Sequence, residues 1–177
     1  MYFKKNKLFI EKVDALKIVQ KYGTPTYCYS LNRLRHNIRN FQQSFKSISP
    51  LICFSVKSNN NRQILKEIKK SGVGADVVSK GEMMQALKAG ILPKKIVFSG
   101  VGKKTEELKF AIEKKILLIN AESESEIFEI ERLAKLKKKI VNIGIRLNPN
   151  IDAKTLKKIS TGKHEDKFGL TEKAFLN

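Results

Sequence analysis

One lysine in this chain stands where an amine could do chemistry. Leu51-Ile52-Cys53-Phe54-Ser55-Val56 is an apolar run of strand character, and it stops at Lys57. The polar loop Ser58-Asn59-Asn60-Asn61 follows, and then a helical pattern over residues 62–70. A lysine at the end of a buried strand can point into a cleft with its ammonium partly desolvated. Desolvation disfavours the charged form, lowers the pKa and lets the amine attack a carbonyl. The simpler alternative is that Lys57 is one surface lysine among many. Taken alone in so lysine-rich a chain, that alternative carries most of the weight.

Two further charges fall inside apolar strands and need partners. Asp76 lies in Gly74-Ala75-Asp76-Val77-Val78, where a carboxylate requires donors or a cation. Arg146 lies in Asn142-Ile143-Gly144-Ile145-Arg146-Leu147, where a guanidinium requires an anion. The two could pair with each other as a structural bridge, or both could surround Lys57; the residues themselves favour neither. Ser79-Lys80-Gly81-Glu82 has the form of a capping box, and Ser123-Glu124-Ser125-Glu126 repeats it. Locally, then, Glu82 is a structural residue first. His164 lies in a long polar stretch, Ser160 to Gly169, that could serve as a lid. His36 falls on the polar side of a helix. The chain has no phosphate-binding P-loop motif, no zinc-protease helix motif and no nucleophile elbow.

The elements that must position these residues alternate. Strand starts fall near Leu51, Val73, Ile96, Leu117 and Val141, roughly every 20–25 residues. Helical stripes follow them: Met83, Met84 and Leu87, then Leu108, Ala111 and Ile112, then Ile127, Ile130 and Leu133. Short buried strands alternating with helices predict parallel βαβ units, in a doubly wound sheet or a (β/α)8 barrel. Both folds bind ligands at the carboxyl ends of their strands. Lys57, Asp76, Ser79, Ser99, Asn120, Arg146 and Asn148 all fall at or near such ends. Upstream, residues 8–22 read as a helix ended by Gly23 and Pro25. Thr26 to Tyr29 is β-prone. Ser30 caps a second helix carrying Leu31, Leu34, Ile38, Phe41 and Phe45. No low-complexity linker interrupts the chain, which predicts one domain over residues 1–177.

Composition narrows the partners. The chain has 177 residues, 41% of them hydrophobic, which suits one soluble domain with a core. No stretch reaches the roughly 18 apolar residues of a membrane span, and the N-terminus lacks a secretory pattern. Cys28 and Cys53 match no zinc or redox spacing, so buried free thiols in the cytoplasm are expected. Lys+Arg number 36 against 17 Asp+Glu, a formal net charge of +19. The excess is mostly lysine, is spread in pairs and triplets, and has no interleaved aromatics. These features argue against specific nucleic-acid binding.

Through these residues and the motifs around them, the chain resembles the N-terminal part of the diaminopimelate decarboxylase family. That family belongs with the fold-type III pyridoxal-phosphate decarboxylases of ornithine, arginine and diaminopimelate. The resemblance is carried by residues 22–29 (YGTPTYCY), 54–59 (FSVKSN), 74–82 (GADVVSKGE), 145–149 (IRLNP), 159–162 (ISTG) and 167–169 (KFG), in the family's order. It implies the N-terminal part of a (β/α)8 TIM-type barrel of the alanine racemase/decarboxylase type. It implies that Lys57 binds pyridoxal 5'-phosphate covalently, with Asp76, Glu82 and Arg146 around the cofactor. No metal is implied, and the stretch from Ser160 to Gly169 would lie near the mouth of the site. The implied reaction is decarboxylation of meso-diaminopimelate, a small-molecule amino acid, to lysine.

Family members are longer. They add the rest of the barrel and a β-domain, with contacts for the cofactor's phosphate and ring nitrogen, and a second subunit contributes to the site. A barrel needs about 200 residues or more to close. The isolated chain is therefore expected to be an incomplete barrel with little or no activity, whose partner is a second copy or a separately encoded second half. The alternatives are a non-catalytic fragment, or another fold-type III protein such as an alanine racemase-like enzyme or a pyridoxal-phosphate-binding protein. The Ser160 to Gly169 stretch favours the decarboxylases.

Overall fold

Apolar residues at the start of the chain pair as strands instead of winding as a helix. The computed structural model describes residues 1–151, 154 and 168–176. In it, β1 (Tyr2–Lys4), β2 (Lys7–Ile10) and β3 (Val13–Asp14) form an antiparallel ribbon. Lys5, Asn6 and Glu11 adopt positive φ in its turns, and Tyr2 stacks on Phe9 with ring centroids 5.6 Å apart. The helix expected over 8–22 therefore begins late, as α1 (Ala15–Tyr22). Asp14 sets that start, because its carboxylate accepts a hydrogen bond from Leu16 N at 2.9 Å. Gly23 ends the helix at φ 77, as its position predicts. The β-prone run Thr26 to Tyr29 joins no sheet. The Thr26 hydroxyl instead donates to Gly23 O, folding the segment back onto the helix end.

The helix α2 (Leu31–Ser44) starts where the sequence puts it, with Ser30 Oγ accepting from Arg33 N. Glu11 clamps this start to the ribbon. Its carboxylate accepts from Ser30 Oγ at 2.6 Å and from the backbone and side-chain nitrogens of Asn32. The Ser30 hydroxyl foremost, then the Asn32 backbone, hold its carboxyl below the usual range. Met1–Pro50 is a compact unit of its own and Leu51–Asn177 is another, although no linker marks the division in the sequence.

In the second unit, five parallel strands alternate with helices. In chain order they are β4 (Cys53–Ser55), α3 (Arg62–Lys70), β5 (Gly74–Val77), α4 (Lys80–Lys88), β6 (Ile96–Phe98), α5 (Thr105–Lys114), β7 (Leu118–Ala121), α6 (Glu124–Lys137) and β8 (Ile143–Ile145). Each strand pairs with the one before it, giving the order β4-β5-β6-β7-β8. A doubly wound sheet reverses direction at a switch point, whereas a (β/α)8 barrel adds strands steadily in sequence order. The observed order is that of the barrel, and it decides between the two folds the sequence leaves open. A short parallel pair, β9 (Leu147–Asn148) with β10 (Leu170–Thr171), and α7 (Glu172–Leu176) complete the described residues.

Period-two alternation builds the core. Ala75, Val77, Ile96, Phe98, Ile119 and Ala121 are fully buried, and so are Leu65, Met83, Ala86 and Ala111 from the helices. Burying each large side chain contributes about 1.5–3 kcal/mol. The intervening strand positions, Asp76, Val97, Asn120 and Gly144, are less buried. The expected thiols divide: Cys28 is exposed and Cys53 is half-buried. Burial, and next the charge of Asp76, push the Cys53 thiol up. Among the described residues, no helix is long and apolar enough to cross a membrane.

Two outcomes test this packing. A Cβ at Gly74 would collide with the backbone carbonyl of Lys95 and lie 2.9 Å from Cys53 Sγ. Gly74→Ala should lower the urea midpoint by an amount equivalent to about 1–3 kcal/mol. Between α5 and α6, Arg132 first and then the Thr105 hydroxyl hold the Glu129 carboxyl at about 2. A depressed carboxyl stabilises the fold above its unfolded value, and this contribution fades as pH falls from about 4.5 toward 2. Arg132→Ala should move the Glu129 midpoint up toward 4.5 in a carboxyl NMR titration.

Candidate active site

Polar residues gather at the carboxyl ends of the five parallel strands. After β4 the backbone makes one 3-10 turn over Val56–Ser58, held by Asn59 N donating to Val56 O and by the Ser58 hydroxyl donating to Ser55 O. Val56 takes the fully buried place in this turn and Lys57 is exposed. Of the two placements the sequence allows, the residue takes the solvent-exposed one and not the partly desolvated one, because the buried position falls one residue earlier. Ser55 is in register with Asp76, so Lys57 stands just beyond Asp76 at the carboxyl end of the sheet.

A hydrogen-bonded row crosses three strands beside it. Asp76 accepts from Ser99 Oγ at 2.6 Å, and Ser99 Oγ accepts from Asn120 Nδ2 at 3.0 Å. An ionised carboxylate only accepts, so the one hydroxyl O–H donates to Asp76, and Ser99 Oγ in turn accepts an N–H from the Asn120 amide. On β8, Gly144 is in register with Asn120. A Cβ at Gly144 would collide with Asn120 Oδ1, so its missing side chain makes room for that amide.

The Asp76–Arg146 pair that the sequence allows does not form. Arg146 Nη1 donates to both oxygens of Glu122, at 3.1 and 3.3 Å, and its guanidinium lies 4.8 Å from the Phe168 ring centroid. Glu122 is 5% exposed and also accepts from Gly100 N at 3.1 Å. The carboxylate one residue past β7 takes the guanidinium, while a hydroxyl satisfies Asp76.

Glu82 does the structural work its pattern predicts, shifted by one residue. Ser79 Oγ accepts from Glu82 N, while the Glu82 carboxylate accepts from Val78 N at 2.9 Å, not from the N-cap itself. Glu126 repeats this with Ser123 Oγ and Glu122 N. Ser79 and Ser123 adopt nearly the same extended backbone, at φ −157 and −155.

Two residues of this region escape sequence analysis. Glu122 directly follows a strand but precedes a capping serine, so it reads as part of a polar turn. Lys103 reads as half of a surface Lys-Lys pair, yet its side chain is 1% exposed. Its ammonium donates to Gly100 O, Asn120 O and Glu126 Oε1 at 2.6, 2.7 and 2.6 Å. The glycines on either side of Val101 are the one local signal that this loop turns back on the strand ends. His36 is exposed, within hydrogen-bonding distance of Asn40. His164 and most of the Ser160 to Gly169 stretch lie outside the described residues.

Known proteins share this arrangement of strands and motifs. Residues 31–176 match the family model described as pyridoxal-dependent decarboxylase, pyridoxal binding domain. The chain belongs to this family. That makes it a pyridoxal-binding protein by family, and the match runs through the division at Pro50. A diaminopimelate decarboxylase of Helicobacter pylori (strain J99) is 46% identical over 160 residues, covering 90% of this chain and 40% of the relative. One of Aquifex aeolicus is 40% identical over 168 residues. The crystal structure of the Helicobacter pylori diaminopimelate decarboxylase complexed with L-lysine superposes with a TM-score of 0.88 at 44% identity. The match covers 92% of this chain and 41% of that one. The chain thus spans about 40% of the length of the curated relatives it matches, and its five strands are the N-terminal part of their barrel.

Removing the guanidinium leaves a buried carboxylate with one backbone donor. Arg146→Ala should therefore destabilise the second unit by about 1–3 kcal/mol in chemical denaturation. Arg146→Ala combined with Glu122→Gln should recover part of that loss.

Proposed function

We propose that this chain is the cofactor-binding part of a diaminopimelate decarboxylase, with Lys57 as the covalent attachment point for pyridoxal 5'-phosphate. One observation carries this: an exposed primary amine stands at the end of the strand in register with Asp76, beside a row of fixed hydrogen-bond groups. The donor set fits the cofactor. An accessible amine can condense with an aldehyde, and a carboxylate of fixed orientation can hold a cationic group next to it. When bound, the pyridoxal group supplies a sink for the electron pair left when a substrate carboxylate departs as carbon dioxide.

The chain's own residues would act around that chemistry. Lys57 would hold the aldehyde carbon and yield it to the amine of an incoming amino acid. Asp76, its proton-accepting edge directed by Ser99, would face the cofactor as an anion. Glu82 would keep the β5–α4 turn in shape, and Arg146 with Glu122 would set the β8 side of the mouth. The substrate would be meso-diaminopimelate and the product lysine. Support for this comes from the 40–46% identity to proteins named diaminopimelate decarboxylase and from the lysine complex of a structural neighbour. We place the chain in the cytoplasm as a partner of a second copy or of a separately encoded chain.

Coverage favours a second, narrower reading. Since the matched relatives are much longer than this chain, the 177 residues assayed alone would bind the cofactor yet turn over little substrate. Measurable decarboxylation of meso-diaminopimelate by the purified chain would refute that. For cofactor binding, pyridoxal phosphate is added, the adduct is reduced with borohydride, and peptides are mapped by mass spectrometry. The pyridoxyl group should sit on Lys57 and vanish in Lys57→Ala. Labelling of other lysines at equal yield would defeat the assignment.

A further inference from the structure

We propose that Lys103 is a positioning residue for this site, an inference that rests on the cofactor-binding reading above. An ammonium has three N–H donors and no acceptor, and here all three are used. They go to Gly100 O, Asn120 O and Glu126 Oε1, each at 2.6–2.7 Å, from a side chain 1% exposed. The Phe98 ring closes over the ammonium, its centroid 5.5 Å away.

The two carbonyls are what give this lysine its reach. Gly100 directly follows Ser99, and Asn120 is the residue whose amide holds Ser99. Lys103 therefore grips the backbone on both sides of the Asn120–Ser99 hydrogen bond, and Ser99 in turn orients Asp76. The ends of β6 and β7 are tied by one buried charge, and Glu126 supplies the countercharge while also accepting from Glu122 N. The same region continues to Arg146, because Glu122 accepts from Gly100 N and from the guanidinium. Lys103 would touch neither cofactor nor substrate. Its effect is to fix where the Asp76 carboxylate sits.

Lys103→Met alone would leave Glu126 buried without its cation and could unfold the region. Lys103→Met with Glu126→Gln removes the charge pair together, while the new side-chain amide at position 126 can still accept from Glu122 N through its carbonyl. In this double variant, amide hydrogen exchange at Ser99 and Gly100 should quicken in the cofactor-free chain. Affinity for pyridoxal phosphate, read from the Lys57-dependent absorbance change, should fall roughly tenfold or more, as expected when a group near the chemistry shifts by a fraction of an ångström to an ångström. Ile68→Val, a change at a buried position of α3 and so on a different helix from Glu126, is the control. It should lower the melting temperature while leaving exchange at Ser99 and Gly100 and cofactor affinity unchanged.

Unchanged exchange, or unchanged affinity, in the folded double variant would overturn the proposal. So would an equal loss of affinity in Ile68→Val at matched melting temperature. If the unsubstituted chain shows no Lys57-dependent change at all, the cofactor reading fails and takes this inference with it. That result is distinct from a double variant that binds normally.

Discussion

A parallel strand in this fold has two faces with opposite demands, and the rest of the structure follows from meeting both. Successive side chains alternate between the faces. One face must be covered by helices, because the βαβ connection places a helix against it. That face carries Ala75, Val77, Ile96, Phe98, Ile119 and Ala121, all without measurable exposure. The other face can hold polar groups only where they satisfy one another, and it carries Asp76, Asn120 and, just past β6, Ser99. A slip of one residue in any strand would exchange these sets and bury the carboxylate among helices. Register is therefore strongly specified, and the site inherits its precision from the core.

At the strand ends the constraint is electrostatic. A chain with a net charge of +19 has cations to spare, and what matters is which of them reach protected places. Lys103 does, with three acceptors for three protons. Arg146 is half-covered, with Glu122 and the Phe168 ring as partners. Both anions belong to one short stretch: Glu122 follows β7 and Glu126 closes the turn into α6. The turn therefore ties the ends of β6, β7 and β8 while its serine caps a helix. Charges buried in this way contribute little net stability compared with apolar contacts, but breaking one leaves its partner costly. They determine geometry more than stability.

Several features were legible from residue pattern alone. Five strand starts, the capping serines at 30, 79 and 123, the helical pattern over residues 62–70 and the apolar stripes of α4 to α6 all follow from periodicity and cap chemistry, which are local. The helix expected over residues 8–22 lost its first part because the same apolar residues suit a ribbon once Tyr2 can stack on Phe9 and Asp14 can cap a later start. Of the two placements the sequence left open for Lys57, a one-turn 3-10 segment decided for the exposed one by giving the buried place to Val56.

Residue order was enough to set the alternating architecture, the cap positions, the family motifs and the choice of Lys57 and Asp76 as residues at strand ends. Hydrophobic period, capping and motif spacing are properties of neighbours in the chain, so they can be read without a fold. Strand order, and with it barrel over doubly wound sheet, came only with the folded chain. So did the findings that Ser99 rather than Arg146 holds Asp76, that Glu122 holds Arg146, and that Lys103 is buried. Each of these joins residues some 20 or more positions apart, or in Lys103's case singles out one of many identical lysines. No local pattern distinguishes such partners; the register of the parallel strands brings them together.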